Sequence, residues 1–522
     1  MKKITSTNIK LENKRLSRRK VVSLFGLGLL ATQFQFGCKN DLKVLSDLEK
    51  QNIHYLTLSE VAEHIKSKKI TSEELTQLLL NRIKAIDGKL NGYITIMGKE
   101  ALVQARALDK ELAAGKYRGP LHGVPLGIKD LLYTTNAPTT ASHKFNANFM
   151  ATFNATVVDK LYNAGAVILG KLNLTEGAMC NYNNISKIPK NPWGEDLWTG
   201  VSSSGSGVAT AAGLCYGSIG SDTGGSIRTP SVANGIVGLK PTYGLVSTYG
   251  VFPLSISLDH IGPMTRSTLD AAIMLEAIAG YDANDSNSLK QNKLDLTSSI
   301  KDGIKGLRIG IDHDFVNKDV DPKLAASIEL ATKKMEELGA TVVQFKMPAN
   351  RQERNQMWRV ITSKEAYEAN KKTYPSSKNE YSLGFGEFLE FGMNVTDVQY
   401  KNAIVFQQNF KAEFRKLLSE VDAFVSPAGG VAKGVTDKMW RANASEDVVF
   451  KFKNELDLDF GKPANLAGIP TLTMPCGKAE GGMPPPGFQL MGAALTEATL
   501  CKIGYAYEQA TQWHLQHPEI TI

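Results

Sequence analysis

Short apolar, β-branched runs alternate with helix-length stretches along most of this chain, and that alternation limits the folds open to it. The runs fall at 123–128, 166–170, 236–239, 307–311, 341–343, 423–425 and 471–474. Helical periodicity occupies intervening stretches, among them 267–279, 322–338 and 496–512. Such a rhythm predicts an α/β protein whose helices cover a largely buried sheet. Ahead of it, Thr57-Leu-Ser-Glu60 and Thr71-Ser-Glu-Glu74 fit the capping box, in which hydroxyl and carboxylate satisfy each other's free backbone N–H groups. Leu75, Leu78, Leu79, Ile83 and Ile86 then mark one apolar helical face, and a third helix is expected over 99–114, ending at Gly115.

With 522 residues, 42% hydrophobic and 21% charged, the chain can bury a sizeable core, which excludes a disordered, collagen-like or disulfide-dense class. The net charge of +8 suggests an anionic partner until it is located. Residues 1–20 hold eight Lys and Arg against Glu12 alone, so the remainder carries only +1 and offers no electrostatic reason to bind nucleic acid. The basic stretch ends in Ser17-Arg18-Arg19-Lys20, and 21–37 is uncharged and mostly apolar. This is the layout of an export signal, too short to span a bilayer comfortably. It resembles a twin-arginine leader over 1–37, and Gly37-Cys38 resembles a lipoprotein cleavage site, so membrane attachment through a lipidated Cys38 is expected. Residues 38–55 read as a linker and 56–522 as one body in an exported, periplasmic or membrane-anchored protein. Cys180, Cys215, Cys476 and Cys501 are scattered without a C-x-x-C or paired-His spacing, so no metal site is expected.

The one Gly/Ser-rich stretch lies inside the body between apolar runs, as backbone brought close to a ligand would. It reads Gly200-Val-Ser-Ser-Ser-Gly-Ser-Gly207, then a small-residue helix, then Ile219-Gly-Ser-Asp-Thr-Gly-Gly-Ser-Ile-Arg228. Amide hydrolysis needs an activated nucleophile, an oxyanion site and a proton for the leaving amine. Ser226 follows glycines whose N–H groups can turn toward a small anion. No His lies near it, but Lys129 ends the apolar run 124–128, where burial would lower its pKa enough for it to act as a base.

At this point the sequence resembles the amidase signature family of Ser-(cis-)Ser-Lys amidases. Lys129 in Gly-Val-Pro-Leu-Gly-Ile-Lys-Asp matches the family's lysine, Ser226 its nucleophile, and Ser202, 24 residues earlier, its bridging serine. The resemblance, extending over about 57–515, includes Lys171-Leu-Asn-Leu-Thr-Glu176, Asp259-His-Ile-Gly-Pro-Met264 and Pro463-Ala-Asn-Leu-Ala-Gly-Ile-Pro470. It implies a mixed β-sheet covered by helices on both faces and a small-molecule or peptide amide as substrate. It also implies no cofactor, and an oxyanion site made by the N–H groups of Thr223, Gly224, Gly225 and Ser226. Ala178 and Met179 fall in the family's substrate-channel loop. Two positions depart from the family's Gly-Gly-Ser-Ser-Gly-Gly: Val201 and Ser204. Asp222 and Arg228 read as structural partners of the loop, and His122, His260 and Lys240 as structural. Specificity is expected from 139–155, 176–190, 360–405 and 428–460. The alternatives are the amidase subunit of a tRNA-dependent amidotransferase, and a lipid-anchored homologue that lost catalysis. A P-loop lacks its Gly-Lys-Ser/Thr ending, and a G-x-S-x-G elbow does not fit the serine run.

Overall fold

The computed structural model describes residues 52–520 apart from 180, 184, 186, 292, 319 and 430–459. The chain divides into a unit of residues 1–42 and a unit of residues 43–522. The first, with the expected leader and Cys38, lies outside the described residues, as do Cys180 and nearly all of the 428–460 loop.

Both capping boxes form. The Thr57 and Thr71 hydroxyls accept from the N–H groups of Glu60 and Glu74, whose carboxylates accept from the threonine N–H groups, starting helices Leu58–Lys66 and Ser72–Leu90. One difference from the linker expectation appears at its end. Residues 53–55 form a tight turn that belongs to the body: Ile53 is buried, its carbonyl accepts from the Tyr216 hydroxyl at 2.8 Å, and Tyr55 stacks on His517.

Among the described residues eleven strands make one sheet: β1 Tyr93–Ile96, β2 Pro125–Lys129, β3 Val167–Leu172, β4 Gly217–Asp222, β5 Val237–Lys240, β6 His260–Thr265, β7 Arg308–Ile311, β8 Thr341–Gln344, β9 Ala423–Pro427, β10 Thr471–Pro475 and β11 Gly487–Met491. Their order is β1-β3-β2-β4-β6-β5-β10-β11-β9-β7-β8. The neighbours β3, β2 and β4 run parallel, as do β9, β7 and β8, while the remaining pairings are antiparallel, so the sheet is mixed. Helices flank it, including Thr268–Ile278 against β5 and β6 and Pro322–Glu337 against β9 and β11.

Seven strands fall on the apolar runs, and four do not. β4 reads Gly-Ser-Ile-Gly-Ser-Asp, with small residues where neighbours leave no room; a Cβ on Gly217 would stand 2.6 Å from the Met274 sulfur. β6 contains Pro263, which argues against a strand, but Pro263 pairs with Ile219 on β4 beyond the last β5 partner, so its missing N–H costs no ladder bond on that side. β11, Gly-Phe-Gln-Leu-Met, holds no β-branched residue, and β1, Tyr-Ile-Thr-Ile, is only four residues long between two helices.

The Gly/Ser-rich stretch becomes helix Ser204–Ala211, wholly buried. Its glycines serve chain-to-chain packing: a Cβ on Gly205 would come within 2.4 Å of the Asn173 nitrogen and the Gly92 carbonyl oxygen. Cys215, Cys476 and Cys501 are buried free thiols.

Candidate active site

Lys129 ends β2 and is fully buried. Three hydroxyls surround its Nζ: Ser202 Oγ at 2.7 Å, Ser221 Oγ at 2.8 Å and Ser203 Oγ at 2.9 Å. Burial pushes its pKa down to about 7, against the opposing pull of the Asp222 and Asp259 carboxylates. Near neutrality this amine therefore exists in part with a free electron pair. The hydroxyl directions then matter. Ser203 donates its proton to the Ser221 carbonyl at 3.2 Å, so toward Lys129 it can only accept. A neutral amine has two N–H bonds and one lone pair, which leaves Ser202 and Ser221 to divide one acceptor and one donor role between them.

Three consecutive serines thus have three distinct places. Ser202 follows a cis peptide from Val201, as the resemblance implied, and Val201 is itself buried. Ser203 locks the lysine. Ser204, where the family usually has glycine, accepts the Tyr182 hydroxyl's proton at 2.6 Å, so this departure ties the serine segment to the 176–183 loop. Ser221, which no sequence motif marks, becomes legible once β4 is aligned in parallel with β2, since Gly127 and Ile128 pair with Ser218 and Ile219.

Ser226 lies in the turn between β4 and the short helix Arg228–Ala233, and it is half-buried. Its loop hangs from Asp222 and Arg228, both fully buried. Asp222 Oδ1 accepts from the Gly225 N–H at 2.8 Å and Oδ2 from the Ile227 N–H at 3.1 Å. Arg228 grips both carboxylate oxygens at 3.0 Å and also donates to Gln489 Oε1, the Gly461 carbonyl and Asn465 Oδ1. Asn465 in turn donates to the Asp222 carbonyl and carboxylate at 2.9 Å. Burial opposes ionisation of Asp222, yet Arg228, with Lys240 and His260, holds it well below the usual carboxylate range.

The structure corrects the expected oxyanion site at one position. Gly225 adopts φ +125°, open to glycine, and its N–H is already committed to Asp222 Oδ1. Among the described residues, the loop N–H groups without a protein acceptor are those of Thr223, Gly224 and Ser226. Thr223 itself is fixed through its hydroxyl, which donates to Asp259 Oδ1 at 2.5 Å.

Ala178 and Met179 are 5% and 4% exposed and pack within the main apolar core. Their loop is held by Glu176, whose carboxylate meets His143 Nδ1 at 3.1 Å and accepts from Asn183 and from the Ser382 N–H. Beside Lys129, Asp130 pairs with Lys171 at 3.0 Å, both fully buried. The residues read as structural behave so: His122 reaches the Leu108 carbonyl, His260 the Leu258 carbonyl, and Lys240 donates to the Pro241 carbonyl. Among the described residues no group of three or more His, Cys, Asp and Glu is placed to hold a metal ion, and no helix is long and apolar enough to cross a membrane.

Arg228→Met is expected to cost about 3–5 kcal/mol of folding stability in denaturant melts, because it leaves the Asp222 carboxylate buried without its cation. The sign with pH is fixed by the depressed pKa of Asp222. Its contribution is present in full at neutral pH and is lost progressively as pH falls from the ordinary carboxylate value to the lower folded-state value.

Fold and site chemistry are those of a hydrolase acting on amide bonds. The family model for Amidase matches residues 74–501. The putative amidase AmiD of Mycobacterium bovis is 36% identical over 480 residues, covering 92% of this chain and 99% of the relative. A glutamyl-tRNA(Gln) amidotransferase subunit from Moorella thermoacetica is 36% identical over 495 residues, covering 90% and 99%. Among solved structures, the native peptide amidase from Stenotrophomonas maltophilia superposes with a TM-score of 0.76 at 32% identity, covering 87% of this chain and 97% of that one. The chain belongs to the Amidase family.

Proposed function

We propose that this amidase cleaves its substrate through an acyl-enzyme on Ser226, with Ser202 and Lys129 relaying protons. The observation that carries the reading is the fully buried Lys129, pushed down to about 7 and bonded to Ser202 at 2.7 Å. Neutral Lys129 takes the Ser202 proton as Ser202 takes that of Ser226, whose Oγ bonds to the amide carbon. The oxyanion rests on the N–H groups of Thr223, Gly224 and Ser226. When the C–N bond breaks, Ser202 delivers a proton to the departing nitrogen and recovers one from Lys129. Water repeats the relay, leaving a carboxylate and ammonia or an amine.

The peptide amidase named among the similar structures supports a peptide amide as substrate. An exported, Cys38-anchored protein is part of this reading; it rests on the charge layout of residues 1–37 and predicts recovery in the membrane fraction that Cys38→Ser abolishes. The test of the site is trapping. An alkyl fluorophosphonate is expected to place one label per chain, on the peptide containing Ser226, and none on Ser226→Ala. Labelling elsewhere moves the nucleophile to another residue, and no label on the wild type favours the inactive homologue; either overturns the assignment.

The likeness to an amidotransferase component supports a second reading, in which the same site releases ammonia from glutamine for a partner. Co-purification with a tRNA-binding partner, together with ATP-coupled glutaminase activity, would establish it. Amide cleavage by the isolated chain favours the first.

A further inference from the structure

We propose that Trp358 is a positioning residue that aims the Gly224 N–H into the oxyanion site, an inference that rests on the reading of Ser226 and its loop above. Trp358 lies on helix Arg351–Asn370, 135 residues from the loop it touches, in no stretch that the sequence motifs single out. It is 5% exposed, and its indole Nε1–H donates to the Thr223 carbonyl at 2.9 Å.

A trans peptide unit points its C=O and its N–H in opposite directions. The N–H in the same unit as the Thr223 carbonyl belongs to Gly224. By holding that carbonyl toward the helix, the indole turns the Gly224 N–H away from it. If the unit flipped, the Gly224 donor would face the indole and a carbonyl oxygen would face the site, repelling the charge the site must stabilise. Thr223 cannot follow such a flip freely, because its hydroxyl is tied to Asp259.

The packing around the unit supports the same role. A Cβ on Gly224 would stand 2.7 Å from Trp358 Cζ2, so the indole lies as close as only glycine permits. A Cβ on Gly461 would likewise come within 2.4 Å of the Gly224 carbonyl oxygen. That carbonyl and the Gly225 N–H share the next peptide unit, whose N–H is held by Asp222. Two successive peptide units are therefore fixed, one by Trp358 and one by Asp222. Lys462, beside Gly461, places its Nζ 5.3 Å from the indole centroid, where the cation is attracted to the ring face. The cation bears on the ring while the in-plane N–H is spent on the Thr223 carbonyl.

The experiment reads the inactivation kinetics of the fluorophosphonate, whose phosphoryl oxygen takes the place of the oxyanion. Trp358→Phe keeps an aromatic ring and deletes the donor. It is expected to lower the maximal inactivation rate about 10–100-fold, short of deleting an oxyanion donor outright, with half-saturation unchanged within about twofold. Labelling should still reach one per chain at completion, which counts folded sites. Replacing Trp358 by β-(3-benzothienyl)alanine exchanges the N–H for sulfur at nearly constant shape and should give the same loss. This variant decides if the phenylalanine form labels incompletely. An unchanged maximal rate in the benzothienyl variant, or a loss confined to half-saturation, overturns the inference. If Ser226→Ala abolishes labelling while both Trp358 variants react at the wild-type rate, only the Trp358 role falls. If the wild type takes no label on Ser226, the site reading falls with it.

Discussion

Ser226→Ala is expected to lower single-turnover amide cleavage by about 10⁴-fold or more, the scale seen when a covalent nucleophile is removed from a hydrolase. No neighbouring group can replace it. Ser202 and Ser203 are held at 2.7 and 2.9 Å from the Lys129 amine, and Ser203 has given its proton to the Ser221 carbonyl. Ser221 is buried on β4 with its hydroxyl on the same amine. Ser226 alone among them is half-buried, in the turn where the N–H groups of Thr223, Gly224 and Ser226 remain open. The substitution removes one oxygen from a partly exposed turn, so the thermal melt should stay close to that of the wild type. A rate within tenfold of wild type in quenched-flow measurements would place the nucleophile elsewhere.

Lys129→Met is the second large loss, about 10²–10⁴-fold in the acylation step, the range of a general base. It carries a signature in pH that a packing defect would not produce. The lysine's pKa lies at about 7, so the wild-type acylation rate should rise with pH through that value and level off above it. Below it the ammonium has no lone pair to receive a proton. The residual rate of Lys129→Met should lack this limb. Stability follows the same group with its own sign. Between about 7 and the ordinary 10.5 the folded chain binds fewer protons at this lysine than the unfolded chain, so its burial cost shrinks as pH rises across that window. The wild type should gain stability over that range relative to Lys129→Met in denaturant titrations. An acid limb that persists in the variant would assign it to another group. Asp259, which burial raises to about 6 and to which Thr223 of the loop donates, is one such group.

Much of the site was readable in the chain because its residues sit in short, locally patterned segments. Lys129 closes an apolar run, and a lysine at the end of a fully buried strand has nowhere to go but inward. Ser202 and Ser226 lie in glycine-rich stretches whose backbone demands are written in the residues themselves. Ser221 escaped notice because its strand is built from Gly and Ser, small enough for its neighbours but without the branched pattern that marks strands. Trp358 left no local trace at all: its importance lies in one hydrogen bond across 135 residues.

The chain alone carries the alternating α/β order, both capping boxes and the family resemblance, and it singles out Lys129, Ser202 and Ser226 as candidates. These depend on local propensity, on spacing and on motif, all of which act along the chain. The folded chain is needed to see which hydroxyls surround Lys129, that the Gly225 N–H goes to Asp222, and that an indole from a distant helix donates to the Thr223 carbonyl. Hydrogen-bond direction and burial are properties of neighbours in space, and the described strands, in the order β1-β3-β2-β4-β6-β5-β10-β11-β9-β7-β8, bring together neighbours that chain order separates.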